Sequence, residues 1–303
     1  MSTPSSSRPS WLKVRPPTSE SYFQIRDMLK ELKLATVCQE AHCPNMEECW
    51  GGGTATFMLM GDTCTRACRF CAVKTGNPHG VLDEEEPQKV GYAISQMKLD
   101  YIVLTSVDRD DLVDQGSLHF ARTVETIKKN NPKMIVEVLA PDFSAREDLI
   151  ENLVKANPDV YAHNIETVEE LTPEVRDRRS GYRQSLKVLS LVKKIQPKKY
   201  TKTSIMLGLG EKADQLKRAL ADLREVDCDV VTFGQYLSPT QRHARHLPVK
   251  EWIHPDQFQY WQEEAIKMGF LYVASGPLVR SSYKAAEFFM KGVVEKQRKV
   301  FPT

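Results

Sequence analysis

The chain has 303 residues, 27% charged and 41% hydrophobic, which is ordinary globular usage and excludes wholesale disorder. Its 42 basic and 40 acidic side chains leave a formal charge of +2, so net charge gives no general grip on nucleic acid. No apolar run approaches the ~20 residues that span a bilayer, and the Ser/Pro-rich start lacks an apolar signal core, so a soluble, cytoplasmic chain is expected.

In chain order, Ser10 to Pro17 read as an extended, proline-punctuated lead-in. Tyr22, Ile25, Met28, Leu29 and Leu32 recur at helical spacing and predict a helix over Ser19–Leu34, with Ser19 as its N-cap. Ala35 to Gly53 has no clear period; Trp50 and the run Gly51 to Gly53 close it with freedom to fold tightly. Strands are predicted at Ala55–Met60, Tyr101–Val107, Met134–Ala140, Val160–Glu166, Lys202–Leu207 and Val230–Leu237. Helices are predicted between them near Pro87–Lys98, Ser117–Lys129, Arg146–Ala156, Tyr182–Lys194 and Lys212–Val226. A helix Asp256–Met268, a strand-like Phe270–Ala274 and a last helix from Ser282 to Arg298 follow.

Strand then helix, repeated, implies parallel βαβ units. The predicted fold class is α/β: a partial (β/α)6 TIM-like barrel over residues 55–250, with an N-terminal extension (1–54) and a C-terminal extension (251–303). Chemistry gathers at the C-terminal strand ends of such folds. Cys64–Cys71, Thr105–Asp111, Asn164 with Glu166, Gly208–Glu211 and Gln235–Thr240 stand there and are expected to face one mouth.

Six of the seven cysteines fall in one short stretch, and Cys228 stands alone as a small core hydrophobe. An odd number in a large, unsecreted chain argues against a disulfide framework and for metal. Cys64, Cys68 and Cys71 form a C-x3-C-x2-C loop directly after a strand. Three thiolates can hold three irons of a 4Fe–4S cube and leave the fourth iron open, as a catalytic site needs. Structural zinc prefers paired C-x2-C or Cys/His sets, and no fourth partner lies at suitable spacing. Cys38, Cys43 and Cys49, spaced C-x4-C-x5-C, imply a second cluster that is again one ligand short. His42 reads better as a loop histidine than as the missing ligand.

The loop Cys64 to Cys71, with Phe70 before its last cysteine, resembles that of the radical S-adenosylmethionine superfamily. The resemblance implies that S-adenosylmethionine chelates the open iron through its amino and carboxylate groups. Its reductive cleavage would give methionine and a 5′-deoxyadenosyl radical able to take hydrogen from unactivated carbon. Cys38 to Asn45 followed by Trp50 to Met58 is similar to the lipoyl synthase family, and the likeness continues through Tyr101–Leu112, His163–Thr167 and Gly276–Tyr283.

That resemblance implies insertion of two sulfur atoms at C6 and C8 of a protein-bound octanoyl group, with two S-adenosylmethionine molecules consumed and sulfide drawn from an auxiliary 4Fe–4S cluster. It implies that Ser282, in Arg280-Ser-Ser-Tyr283, supplies the missing auxiliary ligand. A hard oxygen among soft thiolates is easily lost, which suits a cluster that must come apart. It implies cofactor contacts at Ser106, Asn164, Glu166, Arg179, Gln235, Tyr236 and Leu237, with Leu207–Glu211 also presenting backbone to the adenine. The implied partners are octanoylated carriers (the 2-oxoacid dehydrogenase E2 subunit and the glycine cleavage H protein) and a low-potential donor such as ferredoxin or flavodoxin, with no nucleic acid and no membrane. A biotin synthase-like enzyme is the alternative within the superfamily. A ferredoxin-like electron carrier would fill every iron vertex with protein and need no barrel.

Simpler readings remain beside these. Arg280-Ser-Ser-Tyr283 can be an N-cap of the last helix. Arg176, Arg178 and Arg179 can be a solvated face or a carboxylate clamp. Arg242 to His246 can be a surface loop that, with Lys198 and Lys199, greets an acidic partner. Glu84-Glu85-Glu86 reads as an exposed first helical turn with no assigned function.

Overall fold

The computed structural model describes residues 8–13, 18–40, 43–51, 56–97, 101–240, 245–282 and 291–295. Helix α1 (Glu20–Glu31) begins where Ser19 accepts the Tyr22 amide, as expected of an N-cap. The unperiodic stretch after it folds into strand β1 (Ala35–Thr36) and two short helices, α2 (Val37–Glu40) and α3 (Met46–Gly51). Then come β2 (Thr56–Leu59), the short strands β3 (Thr63–Cys64) and β4 (Lys74–Thr75), α4 (Glu86–Met97), β5 (Tyr101–Ser106) and α5 (Ser117–Asn130). They are followed by β6 (Ile135–Leu139), α6 (Glu147–Lys155), β7 (Val160–Ala162), α7 (Thr172–Val175), α8 (Tyr182–Ile195), β8 (Tyr200–Leu207) and α9 (Ala213–Glu225). Strand β9 (Val230–Gln235), α10 (Pro255–Lys267) and β10 (Tyr272–Gly276) come next, and residues 291–295 are helical.

The large sheet has eight strands in the order β1-β2-β5-β6-β7-β8-β9-β10. Strand β1 pairs antiparallel with β2, and the other pairings are parallel. The six predicted strands form its middle, giving the partial-barrel α/β architecture. Each extension adds one strand, β1 at one edge and β10 at the other. Among the described residues these two edges do not pair with each other. Helices cover one face and the barrel interior the other, so the strands are buried on both sides and read as near-continuous apolar runs.

The floor of the barrel is filled from several directions. Tyr101, Val103, Ile135, Val160 and Val230 cluster there, and Val294 of the C-terminal extension packs into them. Beside them the buried pair Lys202–Glu137 meets at 2.7 Å, and Tyr101 donates to the other Glu137 oxygen at 2.5 Å. Among the described residues no helix is long and apolar enough to cross a membrane.

Two expectations change here. The strand predicted over Val160–Glu166 ends at Ala162; beyond it Glu166, with a φ of +67°, makes only an isolated bridge to Ile205. The last helix, predicted from Ser282, falls mostly outside the described residues, as do His42, Gly52, Gly53, Ala55, Arg242 and His243.

Candidate active site

The C-terminal strand ends open onto a cavity of about 600 Å³. It is lined by Cys64, Cys68 and Cys71 after β2, Thr105 to Asp108 after β5, Asp142 after β6, Asn164 and Glu166 after β7, and Gln235 to Pro239 after β9. Cys38 and Cys43 from the N-terminal extension and Val279 to Ser282 from the C-terminal one line it too. Cys49 is half-buried against the core and does not line it. Gly208 to Glu211, expected at this mouth, are also not part of its wall. There the Glu211 carboxylate accepts the Gly208 and Leu209 amides at 2.6 and 2.9 Å and folds the turn on itself.

The cysteine loop is held by an ionic clamp. Arg66, only 3% exposed, forks onto Asp142 at 2.5 and 2.9 Å and onto Asp110 at 2.9 and 3.1 Å, and lies 3.5 Å from Asp108. Burial alone would lower its pKa, but Asp108, Asp142 and Asp110 outweigh that and hold the guanidinium charged. Asp177 accepts the Ala67 amide, and His246 lies 3.0 Å from the Cys71 carbonyl. Two backbone amides already point at sulfur: Arg66 N–H to Cys64 at 3.4 Å and Asp177 N–H to Cys68 at 3.3 Å. Such hydrogen bonds are among the features that set cluster potentials.

Burial pushes the thiols of Cys64 and Cys68 up to about 12, with the Asp108 charge adding at both and the Asp177 amide pulling back at Cys68. Cys71 is raised by burial as well. These are protonated thiols that ionise on metal uptake. Among the described residues no three His, Cys, Asp or Glu side chains converge as ligands of a single ion do.

Ser106 Oγ and Asn164 Oδ1 are buried without hydrogen-bond partners among the described residues, and both residues line the cavity. Orphaned polar atoms there fit a polar ligand such as S-adenosylmethionine. Asn164 Nδ2 donates to Glu166 at 3.0 Å; burial raises the Glu166 pKa against the opposing pull of Arg176 and Asn164. The Gln235 side chain is fully occupied, with Leu207, Tyr236, Glu251 and Ile253 backbone at 2.9 to 3.1 Å. Tyr236 is buried with its hydroxyl on the Leu247 carbonyl, so Gln235 to Leu237 offer the cavity mainly backbone. Arg179 does not line the cavity: it pairs with Asp177 and Asp110 and donates to the Thr65 carbonyl. Arg176 is the member of that arginine group in the wall, bonded to Ser185 at 2.8 Å.

Elsewhere in the wall, burial pushes Cys38 up to about 11, with Cys43 adding and the Thr56 backbone pulling back. Cys43 is raised by burial, offset in part by the Asn45 amide and by Arg280. The C-terminal loop is fastened here. Asn45 Nδ2 donates to the Leu278 carbonyl at 2.6 Å, and Thr56 Oγ1 donates to Ser282 Oγ at 2.9 Å. A Cβ on Gly234 would collide with the Val279 carbonyl, so glycine lets this loop lie against β9.

Several supports were not legible in sequence. Glu86 is not exposed: it is 6% exposed, with Met60 N–H at 2.9 and 3.0 Å from its oxygens and His119 Nε2 at 2.7 Å. It ties α4 and α5 to the end of β2, just before the cysteine loop. Arg66 carried no signal beyond its place between two cysteines. Lys199 is buried on Asn157 at the N-terminal end of β8, away from the mouth, and so shares no surface with His246. Cys228 is wholly buried in an apolar cluster.

A family model of the Radical SAM superfamily matches residues 58–223, and one for the N-terminal domain of lipoyl synthase matches residues 3–43. The chain is 55% identical to "Lipoyl synthase 1, mitochondrial" of Phaeodactylum tricornutum, over 96% of this chain and 76% of that one. It is 58% identical to "Lipoyl synthase, mitochondrial" of Schizosaccharomyces pombe, over 95% and 79%. Among solved structures, HydG, a maturase of the FeFe-hydrogenase, shares the fold with a TM-score of 0.58 at 14% identity, over 84% of this chain and 63% of that one. The cytoplasmic expectation does not stand, since both relatives are named mitochondrial. An apolar signal core is diagnostic of secretion, whereas mitochondrial leaders are amphipathic.

Proposed function

The chain belongs to the lipoyl synthase family, and we propose how its own residues divide that family's chemistry. It is a radical S-adenosylmethionine enzyme that forms lipoyl groups and acts on lipoyl-carrier proteins. We assign Cys64, Cys68 and Cys71 to the cluster that binds S-adenosylmethionine, and Cys38, Cys43, Cys49 and Ser282 to a second, auxiliary cluster. When bound, these groups supply a 5′-deoxyadenosyl radical and sulfide.

The observation that carries the reading is that Cys64, Cys68 and Cys71 line one cavity together with Cys38, Cys43 and Ser282, which come from the two ends of the chain. The chain's residues do the rest. Ser106 and Asn164 bring unpaired polar atoms to the cofactor, Glu166 and Arg176 supply charge beside it, and Gln235 to Leu237 give it backbone. The Arg66 clamp holds the cysteine loop in place. Residues 1–54 and 251–303 carry the auxiliary site and 55–250 the radical site. Octanoylated E2 and H-protein domains are the proposed carriers, ferredoxin or flavodoxin the donor, and the mitochondrion the compartment.

Anaerobic reconstitution tests this directly. The parent should take up about eight irons per chain, two four-iron cubes. Cys64→Ala should lose half of them and all S-adenosylmethionine cleavage. Cys38→Ala should lose half but keep octanoyl-dependent 5′-deoxyadenosine formation without sulfur insertion. Loss of both activities in a folded Cys38→Ala chain would remove the division of roles.

A further inference from the structure

We propose that Thr56 is a positioning residue for Ser282, holding its oxygen at the corner of the auxiliary cluster; this rests on the reading of Ser282 as fourth ligand. Thr56 lies in β2, is 5% exposed, and donates its hydroxyl to Ser282 Oγ at 2.9 Å. One strand residue therefore holds a proposed ligand that lies 226 positions further along the chain.

The chemistry of the contact suits a ligand. The hydrogen bond takes one lone pair of the serine oxygen and leaves another for iron. Ser282 stands on a turn, where its side chain would otherwise sample several rotamers. Thr56 is β-branched and fixed in a sheet, so the donor is itself stiff. It selects the Ser282 orientation before iron arrives. Partners of this kind, once removed, typically cost about 10–100-fold in metal affinity.

The test uses the full chain, reconstituted without oxygen, and reads iron content and the rate of iron release to a ferrous chelator, with no turnover. Thr56→Val keeps the strand and shape and removes the donor. It should release about half its iron about tenfold faster than the parent or more, and Thr56→Ser should restore the parental rate. In a Ser282→Cys background, where the oxygen is gone, Thr56→Val should change nothing. Release at or below the parental rate, or equal acceleration in the Ser282→Cys background, overturns the proposal. Thr56→Ala, read the same way, decides if valine does not fit. A parent that takes up only about four irons would sink the auxiliary-cluster reading itself, a result separate from any effect of Thr56.

Discussion

Arg66 and Asp142 meet through two hydrogen bonds, Nη1 at 2.5 Å and Nη2 at 2.9 Å, with both side chains all but excluded from solvent. The contact joins a loop that leaves β2 to the end of β6, two strands away in the sheet. A planar guanidinium is needed, since it also forks onto Asp110.

Arg66→Met should therefore leave Asp142 and Asp108 without the guanidinium they share, with Asp110 keeping only Arg179. Breaking a buried pair from one side costs about 3–5 kcal/mol. Urea unfolding of the cluster-free chain should show that loss, and iron content should fall by about half. Arg66→Lys should rescue little, because an ammonium cannot fork. Near-parental stability in either variant would mean the clamp is dispensable.

Glu86→Ala should leave the Met60 amide and the His119 ring without their buried partner, at a cost of about 1–3 kcal/mol. The specific sign is local. Hydrogen exchange at the Met60 amide should quicken more than at amides in β8. Uniform quickening would point to general destabilisation instead of a fastening at the cysteine loop.

Gly234→Ala should push the Val279 carbonyl off β9. The expected chain folds, cleaves S-adenosylmethionine at its Cys64 cluster, and holds about four irons instead of about eight. Full iron content would show that the C-terminal loop reaches the auxiliary site without lying on that strand.

His163 gives a pH dependence. Burial, reinforced by Arg176, lowers its pKa from 6.5 to about 4. Between those values the unfolded chain binds more protons, so this contribution is intact above pH 6.5 and is lost as the pH falls towards 4. Going from pH 7 to pH 5 should remove roughly 2 kcal/mol. His163→Gln loses hydrogen bonds at every pH, so its baseline is lower, but its stability should fall less steeply between pH 7 and pH 5. Parallel slopes for the two chains would rule His163 out as the source.

The strands and most helices were legible because both signals are local: apolar runs for buried strands, helical spacing for the helices between them. The place of Cys64, Cys68 and Cys71 at the cavity was legible because the loop directly follows a strand at its C-terminal end. The supports were not. Glu86 belongs to a run of three glutamates that reads as solvated, and only the packing of α4 on α5 puts His119 beside it. Arg179 looked closer to the cofactor than Arg176 because sequence cannot say which of two arginines three positions apart turns inward. Lys199 looked able to share an acidic partner with the segment that ends at His246, yet strand direction puts Lys199 and His246 at opposite ends of the barrel. Thr56 reads as one more strand residue until Ser282, 226 positions away, comes to rest on it.

The fastenings between Asn45 and Leu278 and between Thr56 and Ser282 join the first fifth of the chain to the last tenth. Synthesis runs from the N-terminus, so every cysteine of both triads has emerged long before Leu278 or Ser282 exists. A nascent or prematurely ended chain thus presents six clustered thiols with no partner for Asn45 or Thr56. The two fastenings form only on a polypeptide that has been made past Ser282, so they report how far synthesis has run.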